Sequence, residues 1–164
     1  TNLENLTHTG ISTINGTGAT VTGGARNIAS GASATVTGGD ANTASGVLSS
    51  VTGGNAGAAT GLNASVSGGF QNTASGHDAS VSGGGHNTAS FDIASVSGGL
   101  GNAATGYSAS VSGGRNNTAS GLSDSVSGGE GNTASGGDSS VSGGLSRTAG
   151  GSKNWVAGAL FQDE

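Results

Sequence analysis

One spacing governs this chain. Laid over itself, the sequence repeats every fifteen residues without insertion or deletion. ATVTGGARNIASGAS at 19–33 is followed by ATVTGGDANTASGVL, SSVTGGNAGAATGLN, ASVSGGFQNTASGHD, ASVSGGGHNTASFDI and four further units in register, nine in all from 19 to 153. A tenth begins at Asn154, where NWVAGA lies over ASVSGG, and STING at 12–16 lies over NIASG at 27–31 as a degenerate unit ahead of the array. An unbroken period stacks equivalent residues on one another in space, and units this short gain stability only from their neighbours. The spacing therefore predicts a solenoid. Its expected organisation is a cap or degenerate coil over 1–18, nine coils over 19–153, and a partial tenth coil with a C-terminal cap over 154–164.

Two apolar columns run through the units. The third position is Val in every one: Val21, Val36, Val51, Val66, Val81, Val96, Val111, Val126 and Val141, with Val156 continuing the column in the tenth. The eleventh is always Ala, from Ala29 to Ala149. In S-V-S a β-branched residue is flanked by hydroxyls, the alternation of a strand with one buried face, and T-A-S repeats the pattern with a smaller inward residue. The Gly-Gly pair at positions five and six and the usual Gly at thirteen read as corners, where a side chain would clash or φ must be positive. The expected fold class is thus all-β, a parallel β-solenoid or β-roll with 15-residue coils and two short strands per coil. Helix is excluded by 36 Gly, each costing about 1 kcal/mol relative to Ala in a helix interior.

Such a coil is thin. A buried Val contributes about 1.5–3 kcal/mol, whereas fixing the backbone of one residue costs about 1–2 kcal/mol. Backbone ladders from coil to coil must supply much of the difference, and the thinness predicts lateral association of several copies into a symmetric homo-oligomer. Asp124 stands where position one usually carries Ala, which predicts that this column is at least partly exposed to solvent.

Gly and Ser in this abundance would suit a flexible linker, but disordered chains are usually enriched in charge and Pro, and this one has 8% charged residues and no Pro. With no Cys, neither a disulfide framework nor a thiolate metal site is available. A net charge of −5 with four Lys and Arg argues against nucleic acid as a partner, and no apolar run reaches the length of a membrane span. The lack of Met even at residue 1 reads as a piece of a longer or processed chain.

The pattern GGxxNxASGxxAxVSGG, recurring over residues 19 to 159, resembles the head repeats of trimeric autotransporter adhesins of the YadA type. The resemblance implies a left-handed parallel β-roll, three chains wound side by side as a homotrimer, and display outside the cell or at its surface. It also implies a non-enzymatic role in adhesion, with an extracellular matrix protein or a glycan as partner. Units in that family are commonly fourteen residues long with a bulky aliphatic two places after the Val, where this chain has Gly. The runner-up is a structural module of a phage tail fibre or cell-surface filament. Ice binding comes third, prompted by Thr-Val-Thr at the start of the array, but only the first three units keep Thr at position four.

Candidate chemistry is sparse. Asn recurs at position nine as Asn27, Asn42, Asn72, Asn87, Asn102, Asn117 and Asn132, replaced by Gly57 and Arg147, and is expected to form a stacked ladder satisfying corner carbonyls and amides. A nucleophile needs an adjacent base and an orienting group. His8, His77 and His86 hold different places in the unit with no carboxylate consistently near, so neither catalysis nor a cofactor is expected. His77-Asp78 with His86 is the sole metal candidate, short of a credible ligand set, and no metal site is predicted. Positions seven, eight, fourteen and fifteen hold nearly all large or charged residues, which must face outward for coils to stack. Phe70, His77, His86, Phe91, Tyr107 and Arg115 are the candidate ligand-binding residues, with Phe91 expected close to Phe70, His77 and His86 in neighbouring coils. At the ends, Leu6, Ile11 and Ile14, and Trp155, Leu160 and Phe161, are expected to cap the open core.

Overall fold

A computed structural model describes residues 10–158. Leu6, His8, Leu160 and Phe161 lie outside the described residues. The chain is a parallel β-solenoid whose strands are two residues each, running in order from Thr13–Ile14 to Trp155–Val156. Alternate strands belong to alternate sheets. One ten-stranded parallel sheet collects the strands of positions ten and eleven, from Thr13–Ile14 to Thr148–Ala149, and the other collects positions two and three, from Thr20–Val21 to Trp155–Val156. Register is fifteen residues throughout, with Val81 opposite Val66 and Val96, and Ala89 opposite Ala74 and Ala104. The degenerate unit forms a rung as well, Ile14 pairing with Ala29. A third ladder, which the sequence pattern does not announce, links position seven from coil to coil through Asn55, Phe70, Gly85 and Leu100.

The interior is a narrow prism. Val at position three and Ala at eleven are buried along the array, and only the end members Val21 and Val156 are partly open. Position one is a third buried column, formed by Ala34, Ala64, Ala79, Ala94 and Ala109. This overturns the expectation drawn from Asp124, whose residue is fully buried. Its carboxylate is tolerated because both oxygens find donors. Oδ2 accepts the Gly121 N–H at 2.7 Å, while Oδ1 accepts the Ser139 N–H at 2.8 Å and lies 2.8 Å from the Ser139 hydroxyl. In other coils the position-one N–H donates instead to the carbonyl three residues back, as Ser49 does to Gly46 at 3.2 Å. At coil nine the carboxylate has taken over the closing bond of the turn.

The three glycine positions of the coil differ. At position six φ is left-handed, +81° at Gly84 and +88° at Gly69, and a Cβ there would overlap the carbonyl oxygen of the next coil's glycine. At position thirteen φ is ordinary, but a Cβ at Gly46 or Gly61 would again overlap the carbonyl above it. From Gly38 to Gly113 position five meets neither condition. At Gly38, Gly53, Gly68, Gly83, Gly98 and Gly113 a Cβ would find no atom of the chain within 4 Å.

The left-handed conformation also falls where no glycine advertises it. The non-glycine residues of position eight, including Gln71 and His86, and those of position fifteen, including Leu48, Asp78 and Ile93, have φ between 52° and 61°. An L-residue in this region pays about 1–2 kcal/mol. The turn compensates by reversing its hydrogen bond: Thr73 N–H reaches forward to the Asn87 carbonyl at 2.8 Å, whereas Gln71 N–H reaches back to the Asn55 carbonyl at 2.9 Å, and Asp78 N–H to Leu62 at 2.9 Å. Each turn is thereby tied to the coil behind it while the strands are tied to the coil ahead.

Candidate interaction surface

The buried carboxamides of the Asn column are already engaged. Each Asn of position nine uses its carboxamide three times, as Asn102 shows. Its Nδ2 donates to the Gly98 carbonyl of its own coil at 2.8 Å and to the Gly114 carbonyl of the next at 3.0 Å, and its Oδ1 accepts the Asn117 N–H at 2.9 Å. Asn27, Asn42, Asn72, Asn87, Asn117 and Asn132 are buried like it. Recognition of a partner therefore falls to the outward side chains of the two turns.

The two turns lie at opposite ends of the strands, and they divide the candidate residues. Phe70, His86 and Arg115 belong to the turn at positions five to eight. His77, Phe91 and Tyr107 belong to the turn at positions thirteen to fifteen, with both strands of the coil between the two groups. Phe91 is thus near His77 but not near Phe70 or His86, contrary to the expectation of a single cluster. The same separation removes His86 from His77-Asp78 as a metal-ligand set. Among the described residues no group of three or more His, Asp or Glu side chains is placed to hold a metal ion.

On the first edge, side chains pair with one another along the rod. The His86 ring meets Phe70 edge-on, centroids 5.2 Å apart and planes at 78°, an arrangement favoured by the ring quadrupole. Arg115 reaches Glu130 of the next coil at 3.4 Å. Arg26 and Asp40 pair in two-pronged fashion, Nε to Oδ1 at 2.9 Å and Nη2 to Oδ2. The hydrogen bond from Arg26, assisted by its charge, holds the Asp40 carboxyl below the usual carboxylate range, and the Arg26 guanidinium is raised in turn.

The second edge is more apolar. Position fourteen brings Val47, Leu62, His77, Asp92, Tyr107 and Leu122 into one row over six successive coils, joined by Leu48, Phe91 and Ile93 beside it. All seven of the large apolar and aromatic residues in this set, and Ile93 most centrally, are exposed, from Leu62 at 41% to Leu48 and Leu122 at 55%. Charged groups interrupt the row only in the middle, where His77 Nδ1 lies 2.7 Å from Asp78 Oδ2 and Asp92 Oδ1 accepts the His77 N–H at 3.2 Å. At a coil spacing of about 4.8 Å the six positions cover roughly 24 Å. Val47, Leu48 and Leu62 are members that aromatic content alone does not flag. Their signal in the sequence is the column itself.

Large apolar side chains near the two ends of the described array are exposed. Ile11 is 87% exposed, and Ile14 and Trp155 are also exposed, with the indole N–H donating to Ser142 Oγ at 2.7 Å. No helix of the described residues is long and apolar enough to cross a membrane.

No protein-family model matches the chain, and no curated protein matches it. The likeness to adhesin head repeats accordingly rests on the repeat pattern together with the parallel β-roll fold.

Proposed function

We propose that this chain is a non-enzymatic surface-display module, an extracellular adhesin head in which side-by-side copies form a stiff rod and present a turn edge to a matrix protein or glycan. The observation that carries this reading is the exposed row from Val47 to Leu122 on a scaffold whose buried Asn carboxamides are already paired. Clustered exposed apolar surface on a folded protein marks an interaction site more often than scattered residues do, here as two apolar stretches flanking the polar His77 and Asp92, and repeat proteins commonly bind through such rows.

Lateral association is supported by the glycines of position five. Across Gly38 to Gly113 neither φ nor any contact within the chain calls for Gly, whereas close approach of another backbone would. Three copies is the number the resemblance implies. Sedimentation of the chain should give a trimer, and Val substituted together at Gly68, Gly83 and Gly98 should lower the assembled fraction while leaving the β signature intact. A monomer at all concentrations would remove the association argument.

Binding is tested separately by titrating immobilised matrix proteins and a glycan array with the wild-type chain, with the double variant Phe91→Ala/Tyr107→Ala, and with Phe70→Ala. Retained β-structure with lost binding in the double variant alone supports the second edge. Equal binding by all three chains argues against it. A second reading, a spacer module of a fibre or filament, is favoured by the exposed Ile11, Ile14 and Trp155 at the two ends, which suit coaxial continuation into neighbouring segments. It predicts no binding by any of the three chains.

A further inference from the structure

The Asn ladder ends at Arg147 in the ninth coil and is broken internally at one coil. Gly57 occupies position nine of the third coil, and it still donates its N–H to Asn42 Oδ1 at 2.8 Å. With no carboxamide of its own, it returns nothing to its neighbours. Asn87 N–H finds Asn72 Oδ1 at 2.9 Å and Asn42 N–H finds Asn27 Oδ1 at 2.9 Å, but the N–H of Asn72 has no acceptor among the described residues. Two carbonyls lose a donor at the same place. The Gly53 carbonyl lacks the bond that Gly38 receives from Asn42 at 3.0 Å. The Gly69 carbonyl keeps the Asn55 N–H at 2.8 Å but lacks the second bond that Gly84 receives from Asn72 at 3.0 Å.

The shortfall is structured. One donor and two acceptors surround the space that a carboxamide fills in the flanking coils. An ideal Cβ at Gly57 would lie 3.1 Å from Asn42 Oδ1, 3.3 Å from Val66 Cγ1 and 3.5 Å from Val51 Cγ1, which places the lost carboxamide among the valines and the ladder. Asn72 is fully buried, and leaving its N–H without a partner is costly in a way that native proteins rarely accept. A water molecule presents the matching complement, because its oxygen accepts from one N–H while its two hydrogens donate to two carbonyls. Buried waters of this kind occupy polar sites with two to four partners and room for about one solvent molecule. Gly53 is only half-buried, which gives the site a border with solvent.

We infer that the third coil holds a structural water bound by Asn72 N–H, the Gly53 carbonyl and the Gly69 carbonyl, standing in for the absent side chain. It joins the short ladder of Asn27 and Asn42 to the long one running from Asn72 to Asn132. The inference rests on the fold and is independent of any partner.

The test uses the full chain. A high-resolution crystal structure should show solvent density within about 3.2 Å of Asn72 N and the Gly53 oxygen. Gly57→Asn should expel that water, and by supplying the missing acceptor it should slow exchange of the Asn72 amide on the order of tenfold. Conversely, Asn87→Gly should create a second water, on Asn102 N–H and the Gly83 and Gly99 carbonyls. An empty site with Val51 and Val66 moved into it overturns the inference. So does Asn72 exchange in the wild-type chain as slow as that of Asn87, or an Asn87→Gly chain that folds without gaining solvent at the new gap.

Discussion

Adjacent glycines in the fifth coil should respond oppositely to the same added methyl group. At Gly84, φ is +81° and a Cβ would overlap the Gly99 carbonyl oxygen, while also lying 2.7 Å from Gly99 N and from Asn87 Nδ2. Alanine there carries left-handed strain of about 1–2 kcal/mol. To relieve the overlap the two coils must part, weakening two bonds to the same oxygen: Gly85 N–H at 2.9 Å and Asn87 Nδ2 at 3.0 Å. At about 1 kcal/mol net for each, the total for Gly84→Ala is about 3–4 kcal/mol. For a chain of this size that lowers the melting temperature by roughly 6–16 °C. At Gly85, φ is not left-handed and a Cβ would meet only Leu100 Cδ1 at 3.3 Å and the Phe70 oxygen at 3.8 Å. Leu100 is half-exposed and moves aside easily. Gly85→Ala should therefore gain about 0.4–1 kcal/mol by restricting the unfolded chain. Circular dichroism melts of both variants, with hydrogen exchange at the amides of residues 85 to 102 to localise the effect, decide the matter. If Gly84→Ala melts within about 2 °C of the wild-type chain, the close coil-to-coil contact assigned to position six is wrong.

Three other outcomes follow from the same bonds. Asp124→Ala should cost no more than about 1 kcal/mol, because Ser139 N–H can then close onto Gly136 as equivalent residues do elsewhere. Asp124→Asn should cost about 1–3 kcal/mol, because its NH2 must face one of two backbone donors; chemical denaturation ranks the two, and a reversed order would contradict the bonding described. Asn102→Ala should cost about 2–4 kcal/mol through three lost bonds, with Asn117 the amide whose exchange accelerates most. Asp40, its folded pKa held down by Arg26, contributes stability that is present above the ordinary carboxylate range and lost as pH falls through the lowered folded value. Melts of wild type and Asp40→Asn should accordingly differ slightly at neutral pH, converge in acid, and differ less at high salt because the pair is exposed.

The sequence discloses whatever repeats with a distinct chemistry. Val126 and Ala119 announce buried columns because β-branched or small apolar residues alternate with hydroxyls, and Asn117 announces a ladder because one polar residue recurs at one place. Three features escape for physical reasons. Asp124 suggests exposure because a carboxylate is rarely buried, and only the backbone donors of Gly121 and the N–H and hydroxyl of Ser139 explain why it can be. Gly83 and Gly84 look alike as letters, yet one faces open space and the other the next coil's carbonyl. Gln71 and His86 adopt positive φ with no glycine to signal it, since the reversed bond to the preceding coil, a long-range term, offsets the local strain. The division of Phe70 and His86 from His77 and Phe91 follows from the placement of the two turns, and counting aromatics along the chain does not reveal it.

Register has a final consequence. Since each position pairs with the equivalent position fifteen residues on, with Val on Val and Ala on Ala inside the nine-coil array, the buried columns of one of these coils are interchangeable with those of another. Deleting or duplicating a whole fifteen-residue unit leaves every surviving pairing intact and changes the length in steps of about 4.8 Å. Unequal recombination between such near-identical segments would thus set the reach of the molecule as a ruler is cut, by whole graduations, without redesigning either edge.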